Sequence, residues 1–169
     1  TLTAAEGSSS ITERFGFWGQ AINLATQKPL LGWGPYSFRF IQPQLQRSVL
    51  ATSDHPHNVI LKLLVERGLL ATILFVVVIG LVIYRATVQL LSGRIEVVSL
   101  KFSLRTLIYL GLVGVIAHNM IDFNLQFVGI TLPFWILLGI LMTYLDIESL
   151  RNIPRVLARW VEMILAIAL

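Results

Sequence analysis

Three histidines, His55, His57 and His118, are the side chains of this sequence best suited to proton transfer near neutral pH. A neutral imidazole can take a proton from a hydroxyl group, so His57 is a candidate general base for an attacking alcohol. The chain contains no cysteine, which excludes a thiolate nucleophile, a disulfide and a cysteine-bound metal within it. No histidine pair has a recognised zinc spacing, so neither a metal nor another cofactor is predicted.

Three arginines in the first third of the chain, Arg14, Arg39 and Arg47, could bind an anionic substrate. A guanidinium group matches phosphate oxygens bidentately and stays charged next to lipid. Together with a histidine base, these arginines suggest transfer from a phosphate-activated donor. Each residue also has a simpler interpretation, because a lone arginine near a membrane often contacts head groups and a lone histidine is often only structural.

The composition predicts the elements that must position these residues. Of 169 residues, 56% are hydrophobic and 13% are charged, and the mean hydropathy is +0.77. These values predict an all-α polytopic membrane protein rather than a soluble globule. Apolar runs predict transmembrane helices at about 68–84, 106–121 and 127–145, and a partial one at 156–169. We interpret the sequence as the C-terminal part of a longer protein.

The distribution of basic residues predicts the orientation of these helices. Lysines and arginines cluster in the connector 85–105 and again in 146–159, so both segments are expected in the cytoplasm. Residues 1–67 and the turn at 118–126 then lie together on the extracytoplasmic side, which places all three histidines on one face of the membrane. The net charge of +4 is spread over loops and forms no basic run, so nucleic acid is not a predicted partner.

Residues 1–67 are predicted to form a helical extracytoplasmic domain. Ser10 and Glu13 fit a capping box, which indicates an amphipathic helix from there to Pro29. The apolar residues at helical spacing, which predict its packing face, are Ile11, Phe15, Trp18, Ile22 and Ala25.

A second helix is predicted to start near Asp54 as N-cap and to run without interruption into the first span. It would carry one polar stripe made of His55, Asn58, Lys62 and Glu66. In the return turn, the spacing of His118 and Asp122 predicts an i, i+4 pair.

Two segments resemble the signatures of the O-antigen ligase and polysaccharide polymerase superfamily. RFGFWGQAINLATQKPLLGWGPYSF, at residues 14–38, resembles the segment that opens its large periplasmic loop. HPHNVILKLLVERGLL, at residues 55–70, resembles its motif of His-Asn, nine residues and Gly. The matching positions are His57, Asn58 and Gly68, with Ala71 where Gly, Thr or Tyr is usual.

The resemblance implies a multi-pass enzyme of the bacterial inner membrane with its active site on the periplasmic face. It would transfer a glycan from undecaprenyl diphosphate to a hydroxyl of a glycan, lipid or protein acceptor, without a metal or other cofactor. His57 matches the histidine assigned as general base, and Arg14 matches the loop arginine near the donor diphosphate. The further candidates for substrate binding are Arg39, Asn58, Glu66 and His118.

Three alternatives remain open at this point. A polysaccharide polymerase would share the donor chemistry and differ only in its acceptor. A transporter or flippase component would use the polar stripe to line a route for the lipid-linked sugar without making a product. A structural scaffold would use His57 and Arg14 only for folding.

Overall fold

The computed structural model describes residues 2–45, 53–91 and 100–145, and all regular structure in these residues is helical. The helices are α1 (Leu2–Gln27), α2 (Ser37–Leu45), α3 (Val59–Leu91), α4 (Leu100–His118) and α5 (Val128–Thr143), with a 3-10 turn (Asn124–Gln126) before α5. The prediction of an all-α architecture is therefore confirmed for these residues. Two sequence predictions, Arg47 as a phosphate ligand and a partial helix at 156–169, lie outside the described residues.

The start of α1 differs from the prediction. The helix already includes Leu2, so Ser10 and Glu13 lie inside it and do not form an N-terminal capping box. Its end at Gln27 agrees with the prediction that Pro29 terminates it, because the residue before a proline is disfavoured in the α region.

The predicted apolar face of α1 packs on protein only in part, through Ala25. Phe15 and Ile22, from the predicted apolar face, are exposed at 62% and 54%. The residues that α1 contributes to a core with α2 and the start of α3 are Phe17, Ala21, Leu24 and Ala25. α1 thus carries two apolar faces, and spacing along the chain did not reveal which of them packs on protein.

α3 begins at Val59, so the prediction of a start near Asp54 is wrong. The N-cap is Asn58, whose Oδ1 accepts hydrogen bonds from two N–H groups of the first turn at 2.9 and 3.0 Å. His57, immediately before the cap, has φ +50°, a left-handed conformation that ends any regular structure at this point. The HPHN segment is therefore a loop that leads into the helix.

α3 is interrupted at Gly68, which has φ +79° and ψ −178°. The two halves of α3 turn toward one another, because Val59 from the first half and Val76 from the second line the same cavity of about 330 Å³. A straight helix would separate these two residues by about 25 Å. The prediction of a continuous helix from the HPHN segment into the span is therefore wrong.

By length and composition, one helix of the described residues, α3 (Val59–Leu91), could cross a bilayer. The apolar parts of α4 (Leu104–His118) and α5 (Val128–Thr143) are shorter. Both pack against the second half of α3 in a single core, formed by Ile79, Val82, Ala86, Ile108, Leu112, Phe134, Leu138, Leu141 and Leu145. The three predicted complete spans thus correspond to one helix of full spanning length and two shorter apolar helices.

Candidate functional site

The site is formed where the loop 53–58 meets the turn between α4 and α5. Asn58 donates from Nδ2 to the carbonyl of Met120 at 2.8 Å, and the N–H of Val59 donates to the carbonyl of Asn119 at 2.9 Å. Asn119 is itself almost fully buried and accepts from the N–H of Leu125 through its Oδ1. The asparagine of the HPHN segment therefore caps α3 and also fixes the helix start to a turn more than sixty residues away in sequence.

Aromatic rings hold the imidazole of His57 in place. Phe17 of α1 stacks on it at a centroid distance of 6.2 Å, and Phe123 of the return turn contacts it edge-on at 4.9 Å. The side chain remains 25% exposed, so it is immobilised by its neighbours and yet reachable from outside. Three separate elements thus converge on His57.

The two ring nitrogens of His57 face different groups. Nδ1 lies 3.6 Å from Oδ1 of Asp122, which is too long for a hydrogen bond and close enough for a strong coulombic interaction. Nδ1 is buried, and no residue in the described ranges gives it a hydrogen bond. Nε2 lies 3.3 Å from Oγ of Ser53. The Ser53 hydroxyl donates to the carbonyl of His55 at 2.7 Å.

The predicted pairing of His118 with Asp122 is wrong, because Asp122 faces His57 instead. The Asp122 Oδ1 also accepts from the N–H of Phe123 at 2.9 Å, which turns its carboxylate away from α4. His118 is exposed, and its Nδ1 lies 3.2 Å from the side-chain amide of Asn124. It lines an open cavity together with Gly111 and Asn119.

His55 has a different environment from His57. The Nζ of Lys62 lies 2.8 Å from Nδ1 of His55, and because an ammonium group only donates, this nitrogen must accept. The ring is buried and packs against Phe123 at 4.4 Å. Burial, together with the charge of Lys62, lowers the pKa of His55 to about 4. His55 is therefore neutral with its lone pair occupied, which leaves His57 as the histidine of this segment that can accept a proton.

The polar stripe predicted on α3 is formed in part. Lys62 and Glu66 make an ion pair at 3.3 Å, with side chains 14% and 6% exposed. The Lys62 Nζ also lies 3.4 Å from Oε1 of Gln126 in the turn before α5. His55 joins this group from the loop rather than from the helix, and Asn58 serves as the cap. The Glu66 carboxylate is consequently engaged with Lys62.

The two candidate arginines within the described residues lie at the edge of the cluster. Arg14 is half-buried on α1, three residues before Phe17, so both side chains project from the same side of the helix. Arg39 of α2 approaches Asp54 at 3.8 Å, with both side chains about half exposed or more. An exposed ion pair of this length contributes little stability, so the Arg39 guanidinium is available to another anion.

Sequence reasoning missed the role of four residues around His57. Asp122, Ser53, Phe17 and Phe123 come from three parts of the chain, and only Asp122 drew attention, as a partner of His118. The sequence shows that Asp122 lies near His118, which was a usable signal for an ion pair. The partner of Asp122 depends, however, on how the return turn folds back on the loop 53–58. Within residues 12–45, 53–91 and 104–145, no three His, Asp or Glu side chains are arranged to hold a metal ion.

Comparison with known proteins shows what this chain is similar to. Residues 1–76 match the family model described as O-antigen ligase. The resemblance to the O-antigen ligase superfamily is confirmed. Over its whole length the chain is 26% identical to a general O-oligosaccharyltransferase from Acinetobacter baylyi, and it spans 29% of that protein's length. No solved structure matches the chain.

The two segments that resemble O-antigen ligase signatures meet at one junction. The loop 29–34, from the first signature, forms three backbone hydrogen bonds with α3, from the second. These bonds run from the N–H of Trp33 to Val65 O (2.8 Å), from the N–H of Gly34 to Glu66 O (3.1 Å) and from the N–H of Leu69 to Pro29 O (2.7 Å). The carbonyls of Val65 and Glu66 are free to accept them because the helix is interrupted at Gly68.

Glycine is required on both sides of this junction. A Cβ on Gly32 would lie 2.6 Å from the carbonyl oxygen of Val65, and a Cβ on Gly68 would collide with the carbonyl of Leu30. Both glycines also have positive φ, at +68° and +79°. The nine residues between Asn58 and Gly68 therefore set the distance between the His57 cluster and the loop 29–34.

Proposed function

We propose that this chain is part of a glycosyltransferase that moves a glycan from undecaprenyl diphosphate to an acceptor hydroxyl on the periplasmic face of the bacterial inner membrane. The observation that carries the proposal is the pairing of His57, at the histidine position of the family signature, with the carboxylate of Asp122 at 3.6 Å. The relative's name, which describes oligosaccharyl transfer to oxygen, supports the same reaction class. The basic connectors support a multi-pass orientation with the HPHN segment outside.

In the proposed reaction, Nε2 of His57 takes the proton of the acceptor hydroxyl. The oxygen then forms a bond to the anomeric carbon of the glycan, and the bond from that carbon to the diphosphate oxygen breaks. The products are the glycosylated acceptor and undecaprenyl diphosphate. Ser53 Oγ at 3.3 Å supports this assignment, because it shows that a hydroxyl fits beside Nε2. The negative charge of Asp122 stabilises the imidazolium as it forms.

The leaving group of this reaction is a diphosphate, which arginines can neutralise. Arg14 and Arg39 are proposed to bind it, since a guanidinium gives charge-assisted hydrogen bonds to phosphate oxygens. Asn58 is proposed to orient the loop that bears His57, through its cap and its bond to Met120. Glu66 is proposed to act on the site only through Lys62, and His118 to contact a remote part of the donor or acceptor.

Replacing Arg14 or Arg39 by alanine is expected to lower kcat/KM for the lipid-linked donor by about 10- to 100-fold, because each lost charge-assisted hydrogen bond costs about 1.5–3 kcal/mol. The matched control is Arg85→Ala, which removes an arginine near the other end of α3, away from the cluster, and should change kcat/KM by less than about twofold. Initial rates at varied donor concentration measure the effect. Equal losses in all three variants would contradict specific diphosphate binding.

The reaction class is tested with the purified full-length protein, an undecaprenyl-diphosphate-linked glycan and a hydroxyl acceptor in detergent. The expected result is a glycosidic product together with released undecaprenyl diphosphate in equal amounts. A transporter moves its substrate and forms no glycosidic bond. The absence of product from well-folded protein would therefore overturn the proposal. A second incubation without added acceptor separates the alternatives, because a polymerase extends one donor-linked glycan with another.

A further inference from the structure

The loop 29–34 exposes two large apolar side chains at its tip. Leu30 is 68% exposed and Leu31 is 81% exposed, which places them among the most exposed apolar residues of the described chain. Exposed apolar residues at the tip of a loop that faces water are disfavoured, because burying such a side chain gains about 1.5–3 kcal/mol. Contiguous exposed apolar surface commonly marks a binding surface.

This tip is held rigidly by its own backbone. Besides the three bonds to α3, the N–H of Gly32 donates to the carbonyl of Lys28 at 3.1 Å. The indole N–H of Trp33 donates to the carbonyl of Leu24 at the end of α1, at 2.8 Å. The close approach of Gly32 and Gly68 leaves no room for the loop to slide along α3. The two leucines therefore sit at a fixed height along α3 and cannot fold back into the core.

The tip contacts α3 at the point of the sequence where α3 changes from polar to apolar. Lys62, Glu66 and Arg67 precede the interruption at Gly68, and residues 69–84 contain no charged side chain. The first apolar residues after the interruption, Leu69 and Leu70, are 44% and 49% exposed. The leucine tip therefore continues an exposed apolar surface that begins where the candidate span enters its uncharged region.

The residues flanking the tip are of the types that anchor proteins at a membrane surface. Lys28 places its Nζ 4.1 Å from the centre of the Trp33 ring, and Arg67 is exposed on the neighbouring turn of α3. Tryptophan and basic side chains are enriched at the boundary between head groups and acyl chains, where an apolar body and a polar tip are both satisfied. Cations beside an apolar tip match an anionic lipid surface.

We propose that Leu30 and Leu31 insert into the acyl region of the extracytoplasmic leaflet, so that the loop 29–34 anchors the HPHN domain to the bilayer surface. The partner is lipid, with Lys28 and Arg67 at the level of the head groups. This inference rests on the membrane orientation of the proposed function. Its consequence is a fixed position of the junction between the loop 29–34 and α3 at the bilayer surface, because backbone hydrogen bonds join the loop to Val65, Glu66 and Leu69.

The experiment uses the full-length protein in a cysteine-free background, with Leu31→Cys carrying an environment-sensitive fluorophore. The protein is reconstituted in nanodiscs of phosphatidylethanolamine and phosphatidylglycerol. Quenching by lipids with a spin label near the head group is compared with quenching by aqueous iodide. Val78→Cys, in the apolar part of α3 and 49% exposed, is the control for lipid contact, and Gln44→Cys, an exposed polar position on α2, is the control for water contact.

The expected result at position 31 is lipid quenching several times stronger than iodide quenching, and strongest with the shallow label, since such anchors reach about 5–10 Å into the boundary region. Iodide quenching as strong as at position 44 would overturn the inference. Protection from both quenchers would also overturn it, because another protein segment would then cover the tip. Glycan transfer by the labelled protein is measured in parallel: lipid contact without transfer contradicts the proposed function alone, and transfer with a water-exposed tip contradicts the anchor alone.

Discussion

Replacing His57 by asparagine is expected to lower the rate of glycan transfer by about 10²- to 10⁴-fold, the usual contribution of a positioned general base. Asparagine is the informative substitution because it tolerates the left-handed φ of +50° that this position adopts. The loop and the cap at Asn58 should therefore persist while the basic nitrogen is lost. The measurement is single-turnover transfer from the lipid-linked donor, with thermal stability in detergent as the check on folding.

Three further measurements distinguish a role of His57 as a base from a role in packing alone. Added imidazole should partly restore transfer in His57→Ala, since that variant leaves an opening beside the exposed part of the site. Asp122→Asn should lower the rate about tenfold or more, as about 1.4 kcal/mol of imidazolium stabilisation corresponds to a factor of ten. The double variant should be no slower than His57→Asn alone, because Asp122 acts through His57. Strictly additive losses would contradict the pairing.

Replacing Gly68 by valine is expected to give the largest loss of stability of any single change considered. The left-handed φ of +79° strains a β-branched residue by about 1–3 kcal/mol, and its Cβ would also collide with the carbonyl of Leu30. The loop 29–34 must then separate from α3, which removes three backbone hydrogen bonds. Thermal inactivation and protease cleavage within the loop report the loss, and transfer activity should fall with them.

The matched control for this change is Gly80→Ala in the second half of the same helix. No atom lies within 4 Å of a Cβ at Gly80, and its backbone is helical, so alanine should be neutral or stabilise by up to about 1 kcal/mol. Gly32→Ala should lower stability as Gly68→Val does. Its Cβ would collide with the backbone of α3 at the same junction, from the side of the loop 29–34. If Gly68→Val were as stable as Gly80→Ala, the interruption of α3 would not depend on this contact.

Several features could be predicted because they depend on neighbours in the sequence. The apolar runs indicate the helical core, and Pro29 indicates where α1 ends. The spacing of His57, Asn58 and Gly68 indicates the family and the candidate base. Charge asymmetry brought residues 1–67 and the return turn to one side, and in the structure the loop 53–58 does contact that turn.

Other features depended on contacts that local patterns do not encode. α1 has two apolar faces of similar quality, and only packing on α2 and α3 selects the one that contains Phe17. The i, i+4 rule paired Asp122 with His118, although a hydrogen bond to the Phe123 backbone turns its carboxylate toward His57. The N-cap moved from Asp54 to Asn58 because Asn58 also bonds to the return turn.

The order of its residues alone predicts a helical membrane protein with an extracytoplasmic histidine motif, since hydropathy and motif spacing are properties of the chain itself. Tertiary structure alone decided the surroundings of each histidine. His55 is buried against Lys62 and His57 faces Asp122, and both environments are produced by segments that are distant in sequence. The physical reason is that proton affinity depends on burial and on nearby charge, which arise only when α3 and the return turn pack together.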